Sequence, residues 1–364
     1  MQINDLLQLT TEQNASDLIL VAGTNPTLRV NSRLMKTGME VLTPETVEKL
    51  VYSFLTEEQK KSFEKERELD LAYELGESRF RINVHYERQR VAATIRRIPR
   101  KVPTLGELSL PKRVGDFCNE NDGLILVTGP TGSGKSTTQA AMIDKINKEE
   151  ALHIITIEDP IEYIYSNDKS VIEQREVGSD TFSFARALKR VLRQDPDVIQ
   201  VGEMRDLDTI QTALTAAETG HIVISTLHTP DAPQAVDRIV DVFPPYQQAQ
   251  IRLQLSLTLK GVIAQRLLPR KDKPGVVVAI EILVVNPAVR NLIRKGQTQE
   301  IYSIMEISSK LGMQSMNVSL KEHYERGFID YDTALGCSPD PENFEKVLKV
   351  KEGKATNGGG VKFM

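Results

Sequence analysis

Cysteine, tryptophan and long apolar runs are scarce or absent in this sequence of 364 residues. It has two cysteines, Cys118 and Cys337, and no tryptophan. Two cysteines so far apart exclude a disulfide framework and a C-x-x-C zinc pair, and we expect both to be buried thiols. No run approaches the roughly 20 apolar residues of a membrane-spanning helix, and the first residues lack the basic and apolar regions of a secretory signal. We therefore expect a cytoplasmic protein.

A strong charge of either sign is also missing. The chain has 46 lysines and arginines against 50 aspartates and glutamates, a net charge of −4. The basic residues are spread among acidic neighbours, which argues against a nucleic-acid partner. With 40% hydrophobic residues, the chain can bury a large core, and its length predicts two domains.

What the sequence does contain is a phosphate-binding loop. The pattern G-x-x-x-x-G-K-[ST] spans residues 129–136 and follows an apolar run, residues 124–127, that predicts a buried strand. The glycines let backbone N–H groups surround phosphate oxygens, and the following helix directs its positive end at them. Lys135 would neutralise the terminal phosphates of ATP, and the Ser136 hydroxyl is the expected ligand of Mg²⁺. The predicted nucleotide-binding residues are Gly129, Pro130, Thr131, Gly132, Ser133, Gly134, Lys135, Ser136 and Thr137.

The rest of the chain predicts an α/β protein. Residues 1–98 indicate a small domain in which two strands, near residues 79–84 and 91–96, place arginines on one face. From residue 115 to 285, apolar strand-like runs alternate with helical patterns, which predicts a mainly parallel sheet with active residues at the carboxyl ends of its strands. Between and after these domains we expect a proline-marked linker, a helical region and a flexible glycine-rich tail, at residues 99–114, 286–350 and 351–364.

Carboxylates follow one of these strand-like runs. Glu158, Asp159 and Glu162 come directly after the run at residues 154–157. Hydrolysis of ATP needs one carboxylate to orient or deprotonate water, and others to hold Mg²⁺ through its waters. We expect this segment to supply both, and the sequence leaves open which carboxylate is the base.

Two further polar residues end strand-like runs. Glu203 follows the run at residues 198–201, but Gly202 stands where many P-loop ATPases carry a metal-holding aspartate. We therefore expect Glu203 to contact Mg²⁺ through water or to position water itself. His228 ends the next run, where it would sense the γ-phosphate or bond a catalytic carboxylate; His221, at the opposite end of that strand, is a weaker candidate.

Taken in order, these motifs resemble those of the secretion-ATPase superfamily. Residues 129–137, 157–162, 201–206 and 219–229 correspond to its Walker A motif, Asp box, Walker B motif and His box. Residues 288–294 resemble the AIRNLIR signature of PilT-type pilus retraction ATPases, with valine for isoleucine at the second position. The resemblance implies a PAS-like N-terminal domain, a RecA-like P-loop ATPase domain with a helical C-terminal extension, and a ring-shaped hexamer.

The resemblance also implies roles and partners. Arg81 and Arg96 match arginines that contact nucleotide phosphates at a domain or subunit junction. A segment coupling hydrolysis to retraction would comprise Arg290, Asn291, Leu292, Ile293 and Arg294. The implied partners are an inner-membrane platform protein at the pilus base and a paralogous pilus ATPase, which places the protein on the cytoplasmic side of that membrane.

Other functions share the nucleotide motifs. A pilus extension or type II secretion ATPase usually has a larger N-terminal region and a tetracysteine metal site, both absent from this sequence. A nucleic-acid translocase would use the same RecA-like core, and its hydrolysis would be stimulated by DNA or RNA. A nucleotide-gated scaffold would bind ATP without hydrolysing it. The full set of carboxylates and candidate arginines argues against this alternative.

Overall fold

The computed structural model of the protein describes residues 1–30, 33–76, 78–99, 101–346 and 348. The chain divides into two compact units, one of Met1–Lys101 with Glu162–Ile164, the other of Val102–Ile161 with Tyr165–Met364. Most of the segment predicted as a linker, residues 99–114, therefore belongs to the second unit, where Val102 is buried. The tail predicted at residues 351–364 lies outside the described residues.

The first unit is built on an antiparallel sheet. Within the described residues it has six strands in the order β3-β2-β1-β6-β5-β4. Its elements in chain order are α1 (Ile3–Glu12), β1 (Asp17–Leu20), β2 (Thr27–Val30), β3 (Arg33–Lys36), α2 (Pro44–Tyr52), α3 (Glu57–Glu66), β4 (Glu68–Leu75), β5 (Ser78–Glu87) and β6 (Arg90–Ile98).

Local sequence signals explain these elements. Thr43 caps α2, whose first residue is Pro44, and Thr56 forms a capping box at the start of α3. Alternate residues of β5, among them Phe80 and Ile82, are buried with the three helices in one apolar core. Arg81 therefore lies on the other face of the sheet, as the period of two predicts.

The second unit contains a mainly parallel sheet. In the described chain it has seven strands in the order β13-β12-β7-β11-β10-β8-β9, and only the β12–β13 pair is antiparallel. Its elements begin with α4 (Lys112–Phe117), β7 (Gly123–Thr128), α5 (Lys135–Glu149), β8 (His153–Glu158), β9 (Val171–Glu176), α6 (Phe184–Val191) and β10 (Val198–Val201). They continue with α7 (Leu207–Glu218), β11 (Ile222–Leu227), α8 (Ala232–Asp241), α9 (Pro245–Thr258), β12 (Leu259–Pro269) and β13 (Val276–Val284).

Both faces of this sheet are covered. Separate apolar clusters lie on its two sides, so its central strands are fully buried, and the parallel strands end at one edge of the sheet. Helices follow β13: α10 (Pro287–Lys295), α11 (Ile301–Ile307), α12 (Met316–Glu325), α13 (Tyr331–Cys337) and a last helical stretch at residues 341–346. None of the helices in the described ranges is long and apolar enough to span a bilayer.

The two cysteines differ in their surroundings. Cys118 is buried, and burial raises the pKa of its thiol to about 12. Cys337 is only half-buried, so the expectation of two buried thiols is wrong for this residue. Cys337 is the last residue of α13 and packs, only partly buried, against the apolar cluster that includes Ala334 and Phe344.

Candidate nucleotide-binding and hydrolysis site

The phosphate loop lies where β7 passes into α5. Gly129, Gly132 and Gly134 have φ values of 143°, 78° and 87°, which side chains rarely adopt. A Cβ on Gly129 would lie 2.3 Å from the backbone oxygen of Gln265, so only glycine fits there. Lys135 Nζ donates to the carbonyls of Gly129 and Pro130 at 2.9 and 3.1 Å. The sequence thus folds locally into the loop that the motif predicts.

The loop offers polar groups to a phosphate. The N-cap residue of α5 is Gly134, and within the described residues no side chain caps this end of the helix, so the N–H groups of the first turn are available to a ligand. Ser133 Oγ is buried and has no hydrogen-bond partner in the part of the chain that the structure describes. Ser136 and Thr137 are partly exposed in the first turn of the helix, and residues 130–132 form the exposed rim. These features fit a bound triphosphate.

The predicted Asp-box carboxylates differ in environment. Glu158, at the end of β8, is 6% exposed, and its Oε1 accepts from Thr156 Oγ1 at 2.6 Å and Gln174 Nε2 at 3.2 Å. Asp159 and Glu162 are exposed. Glu162 belongs to the first unit, whereas Glu158 and Asp159 belong to the second.

Glu203 follows β10 at the same edge of the sheet and has Arg205 and His228 as neighbours. Its Oε1 lies 2.7 Å from Arg205 Nε and 3.1 Å from His228 Nε2. Burial opposes ionisation of Glu203, but the hydrogen bond from Arg205 and the positive charges outweigh it, so its pKa lies below the ordinary value. Glu203 is therefore an anion at neutral pH, which is the form that a ligand of Mg²⁺ needs.

The two histidines of the His box have different surroundings. His228, just after β11, contacts Glu203, one of the two partners that the sequence analysis proposed. A neighbouring bond from Thr226 Oγ1 to the Gly202 carbonyl, at 2.7 Å, fixes the loop after β10 against β11. His221 Nδ1 instead lies 2.9 Å from the Ala216 carbonyl at the opposite end of β11. The structure thus brings His228, and not His221, to the carboxylates.

Sequence reasoning missed Arg205 and Gln265. The hydrogen bond to Glu203 and the negative charge of Glu203 raise the pKa of Arg205, and the charge of Asp159 adds to this effect. Its place two residues after Glu203 was a signal that could have been used. Gln265 contacts the phosphate loop from β12, and no local pattern marks it.

The two arginines predicted to act on phosphates lie in the first unit. They sit opposite each other on β5 and β6, on the sheet face that carries no core. Arg96 Nε lies 2.9 Å from Asp17 Oδ1, and Arg81 Nε lies 3.9 Å from Asp70 Oδ1. They line a cavity of about 280 Å³ together with Asp17, Asp70, Asn83 and Thr94.

The predicted coupling segment forms most of α10. The Asn286 side chain caps the helix by accepting from the Val289 N–H at 2.9 Å. Leu292 and Ile293 are buried in the core, while Asn291 and Arg294 are exposed and Arg290 is half-buried. The apolar members thus anchor the helix, and Asn291 and Arg294 face outward.

The donors near the phosphate loop suit Mg²⁺ bound together with a nucleotide. Among the described residues, no group of three or more His, Cys, Asp or Glu side chains is arranged to hold a metal. The candidates Ser136, Glu158, Asp159 and Glu203 are oxygen donors, which Mg²⁺ prefers, and this ion is usually held by one or two protein groups plus substrate phosphates. The residues therefore fit a metal that arrives with ATP.

Comparisons with known proteins agree with this geometry. The family model described as type II/IV secretion system protein matches residues 3–326. The type IV pilus retraction ATPase PilT of Pseudomonas aeruginosa is 45% identical, with 94% of this chain and all of the relative aligned. A twitching motility protein of Neisseria gonorrhoeae is 44% identical, covering 94% of this chain and 91% of the relative.

A solved structure extends the comparison to the fold. The crystal structure of the pilus retraction motor PilT with bound ADP matches with a TM-score of 0.89 and 46% identity, covering 95% of this chain and 99% of that one. The match confirms the predicted fold class, an N-terminal α/β domain and a C-terminal P-loop ATPase domain. The chain is therefore an ATPase and belongs to the type II/IV secretion system protein family.

Proposed function

We propose that this protein is a motor that powers type IV pilus retraction, and hence twitching motility, by Mg²⁺-dependent hydrolysis of ATP. The observation that carries the proposal is the set of groups at one sheet edge: a phosphate loop with Lys135, and Glu203 held between Arg205 and His228. Similarity to retraction ATPases over nearly the whole chain supports retraction in particular.

The residues of the chain divide the work of hydrolysis. The phosphate loop and Lys135 bind the phosphates and neutralise their charge. Ser136 and Glu203 would hold a magnesium ion, directly or through water, and this ion would supply positive charge for the phosphates. Glu203 stays ionised because Arg205 and His228 stabilise its charge.

For the base we favour Glu162 over Glu158. Glu158 is buried, and Thr156 and Gln174 already donate to its Oε1, so accepting a proton there would cost hydrogen bonds. Glu162 is exposed and can approach a water. Glu158 then acts by orienting the loop that carries Asp159 and Glu162.

Assembly would complete the site and turn hydrolysis into work. We propose a ring-shaped homohexamer, in which Arg81 and Arg96 reach the phosphates bound by a neighbouring subunit. Binding of ATP and its hydrolysis with phosphate release would then drive a rigid-body rotation within the ring. The exposed residues of α10, Asn291 and Arg294, would transmit this rotation.

The proposed partner is an inner-membrane platform protein at the pilus base, turned by the ring so that pilin subunits return to the membrane. The protein would act on the cytoplasmic side of that membrane, with a paralogous pilus ATPase as a second partner. We expect no nucleic-acid partner, because the basic residues are dispersed among acidic ones.

The test is carried out in a piliated bacterium whose own copy of this gene is deleted. Wild-type protein and the Lys135→Ala variant are returned, and fluorescently labelled pili are followed by microscopy. We expect retraction with the wild type, and pili that extend but do not retract with the variant. Normal retraction in the deleted strain, or with Lys135→Ala, would overturn the proposal.

A further inference from the structure

Gln265 is a buried polar residue beside the phosphate loop, outside all four nucleotide motifs. β12 runs parallel to β7, with Ala264 opposite Thr128, the last residue of β7. Gln265 is the next residue, so it lies alongside the point where β7 passes into the loop. Its side chain is 0% exposed.

Both ends of the Gln265 amide bond to the phosphate-loop region. Nε2 donates to the Ser133 carbonyl at 2.7 Å, and Oε1 accepts from Thr138 Oγ1 at 2.9 Å. Burying an amide costs free energy unless its polar groups are bonded. Here both partners lie in the loop or in the first turn of α5, so the amide ties these two segments together.

The bond to Ser133 also sets the direction of a neighbouring donor. A trans peptide is planar, and its carbonyl and N–H point in opposite directions. Since the Ser133 carbonyl is held toward Gln265, the N–H of Gly134 points away from β12. Outward-facing N–H groups of such loops are what bind phosphate oxygens.

The backbone of Gln265 restrains the loop as well. Its carbonyl oxygen lies so close to Gly129 that a Cβ there would be at 2.3 Å, and its Nε2 would be 3.2 Å from a Cβ on Gly134. Gln265 of β12 therefore lies close to both Gly129 and Gly134, the first and last glycines of the loop, and the loop cannot move toward β12.

We propose that Gln265 is a positioning residue for ATP binding: its side-chain amide holds the Ser133–Gly134 peptide and Thr138 so that the loop presents its N–H groups to the phosphates. Gln265 does not touch the reacting atoms. The proposal rests on the ATPase activity and is independent of any role in pilus retraction.

Steady-state kinetics of the purified full-length protein test it. In Gln265→Met, which has similar size and lacks both bonds, we expect the KM for ATP to rise about tenfold, the effect of losing two hydrogen bonds, while kcat stays within about threefold. Binding of a fluorescent ATP analogue should weaken by the same factor. An unchanged KM in a folded Gln265→Met would overturn the proposal.

Two controls separate positioning from general stability. Gln200 is a buried glutamine of β10 in the same sheet, 4% exposed, and Gln200→Met should leave KM unchanged. An equal rise of KM in both variants would show that loss of any buried glutamine suffices and would overturn the proposal.

The second control works even where Gln265→Met does not fold. Thr138→Val removes the hydroxyl that donates to Gln265, and Thr138→Ser keeps it. We expect KM to rise about threefold in the valine variant, as for one hydrogen bond, and to be restored in the serine variant. The same KM in both variants would contradict the role of this contact.

The two proposals can fail separately. If the wild-type protein hydrolyses ATP but drives no pilus retraction, the proposed function fails and the role of Gln265 in ATP binding stands.

Discussion

The two units place their candidate functional groups in opposite ways. In the second unit, Glu158 and Glu203 are largely buried at the end of a parallel sheet, and other side chains of that unit hold them. In the first unit, Arg81 and Arg96 lie on the open face of an antiparallel sheet, with side chains 42% and 64% exposed. The carboxylates are thus held in place by side chains of their own unit, whereas the two arginines are exposed on the surface of theirs.

This difference has a physical origin. A parallel sheet is covered on both faces by helices, so its polar groups concentrate at the strand ends. An antiparallel sheet with helices on one face leaves the other face polar. On that face the exposed Arg96 pairs with the buried carboxylate of Asp17, which Arg29 also contacts at 3.6 Å, so Asp17 keeps a cationic partner if Arg96 turns to another group. The first unit can therefore offer its arginines to another group at small cost in stability.

The largest effect should come from the phosphate loop itself. In Lys135→Ala, ATP hydrolysis should fall by about 10³ or more, because the positive charge that neutralises the terminal phosphates is lost. Phosphate release with Mg²⁺ measures it. Lys148→Ala, on the same helix and paired with Asp144, is the matched control and should keep full activity. Substantial ATP hydrolysis by the Lys135→Ala variant would contradict the assignment of catalysis to the second unit.

The open face gives the next prediction. Arg96→Ala should lower kcat by about 10³, the lower end for an arginine finger, with little change in ATP affinity. Arg88→Ala, in the β5–β6 turn, is the control, since this side chain is 87% exposed. If Arg96 acts in trans, mixing Arg96→Ala with Lys135→Ala should restore part of the activity. No recovery in mixed rings would place Arg96 at the site of its own subunit.

The carboxylates of the Asp box divide between the two units and so sharpen the comparison. Glu162→Gln should lower kcat by about 10², as expected for loss of a general base. Glu158→Gln should cost less than about tenfold, because glutamine still accepts from Thr156. Both are measured at saturating ATP. A larger loss in Glu158→Gln would assign the base to the buried carboxylate.

Much of the second unit is predictable from sequence because its signals are local. The strands β7, β8, β10 and β11 are short apolar runs, and each candidate residue of this unit ends or follows one of them. Since carboxyl ends of parallel strands meet at one edge, the gathering of Lys135, Glu158, Glu203 and His228 follows from the pattern.

The rest depends on contacts between distant parts of the chain. β12 was not predicted, because it follows α9 without a break and includes Lys260, Gln265 and Arg266. The contact of Gln265 with the loop exists only because β12 pairs with β7. Likewise, β9 pairs with β8 although its residues are mostly charged or polar. The ion pair of Arg96 with Asp17 forms because β1 and β6, which are the first and last strands of the sheet in chain order, are neighbours in it.

The smallest expected effect concerns the charge on Glu203. Its pKa is lowered in the folded protein, so its ionised form stabilises the fold. This contribution is fully present above the unfolded value of about 4.3 and is lost as pH falls through the folded value. The wild type should therefore exceed Glu203→Gln in free energy of unfolding at neutral pH, with the difference shrinking in acid. Urea denaturation at a series of pH values measures the free energy of unfolding of the wild type and of Glu203→Gln.

Arg205→Gln tests the cause of that shift. The hydrogen bond from Arg205 is the largest of the contributions that lower the pKa of Glu203. In proteins that already carry Arg205→Gln, adding Glu203→Gln should therefore cause little pH-dependent change in the free energy of unfolding. A change as large as the one in the wild-type background would assign the stabilisation to His228 instead. In that case His228, and not the exposed Arg205, would be the main partner that stabilises the Glu203 carboxylate.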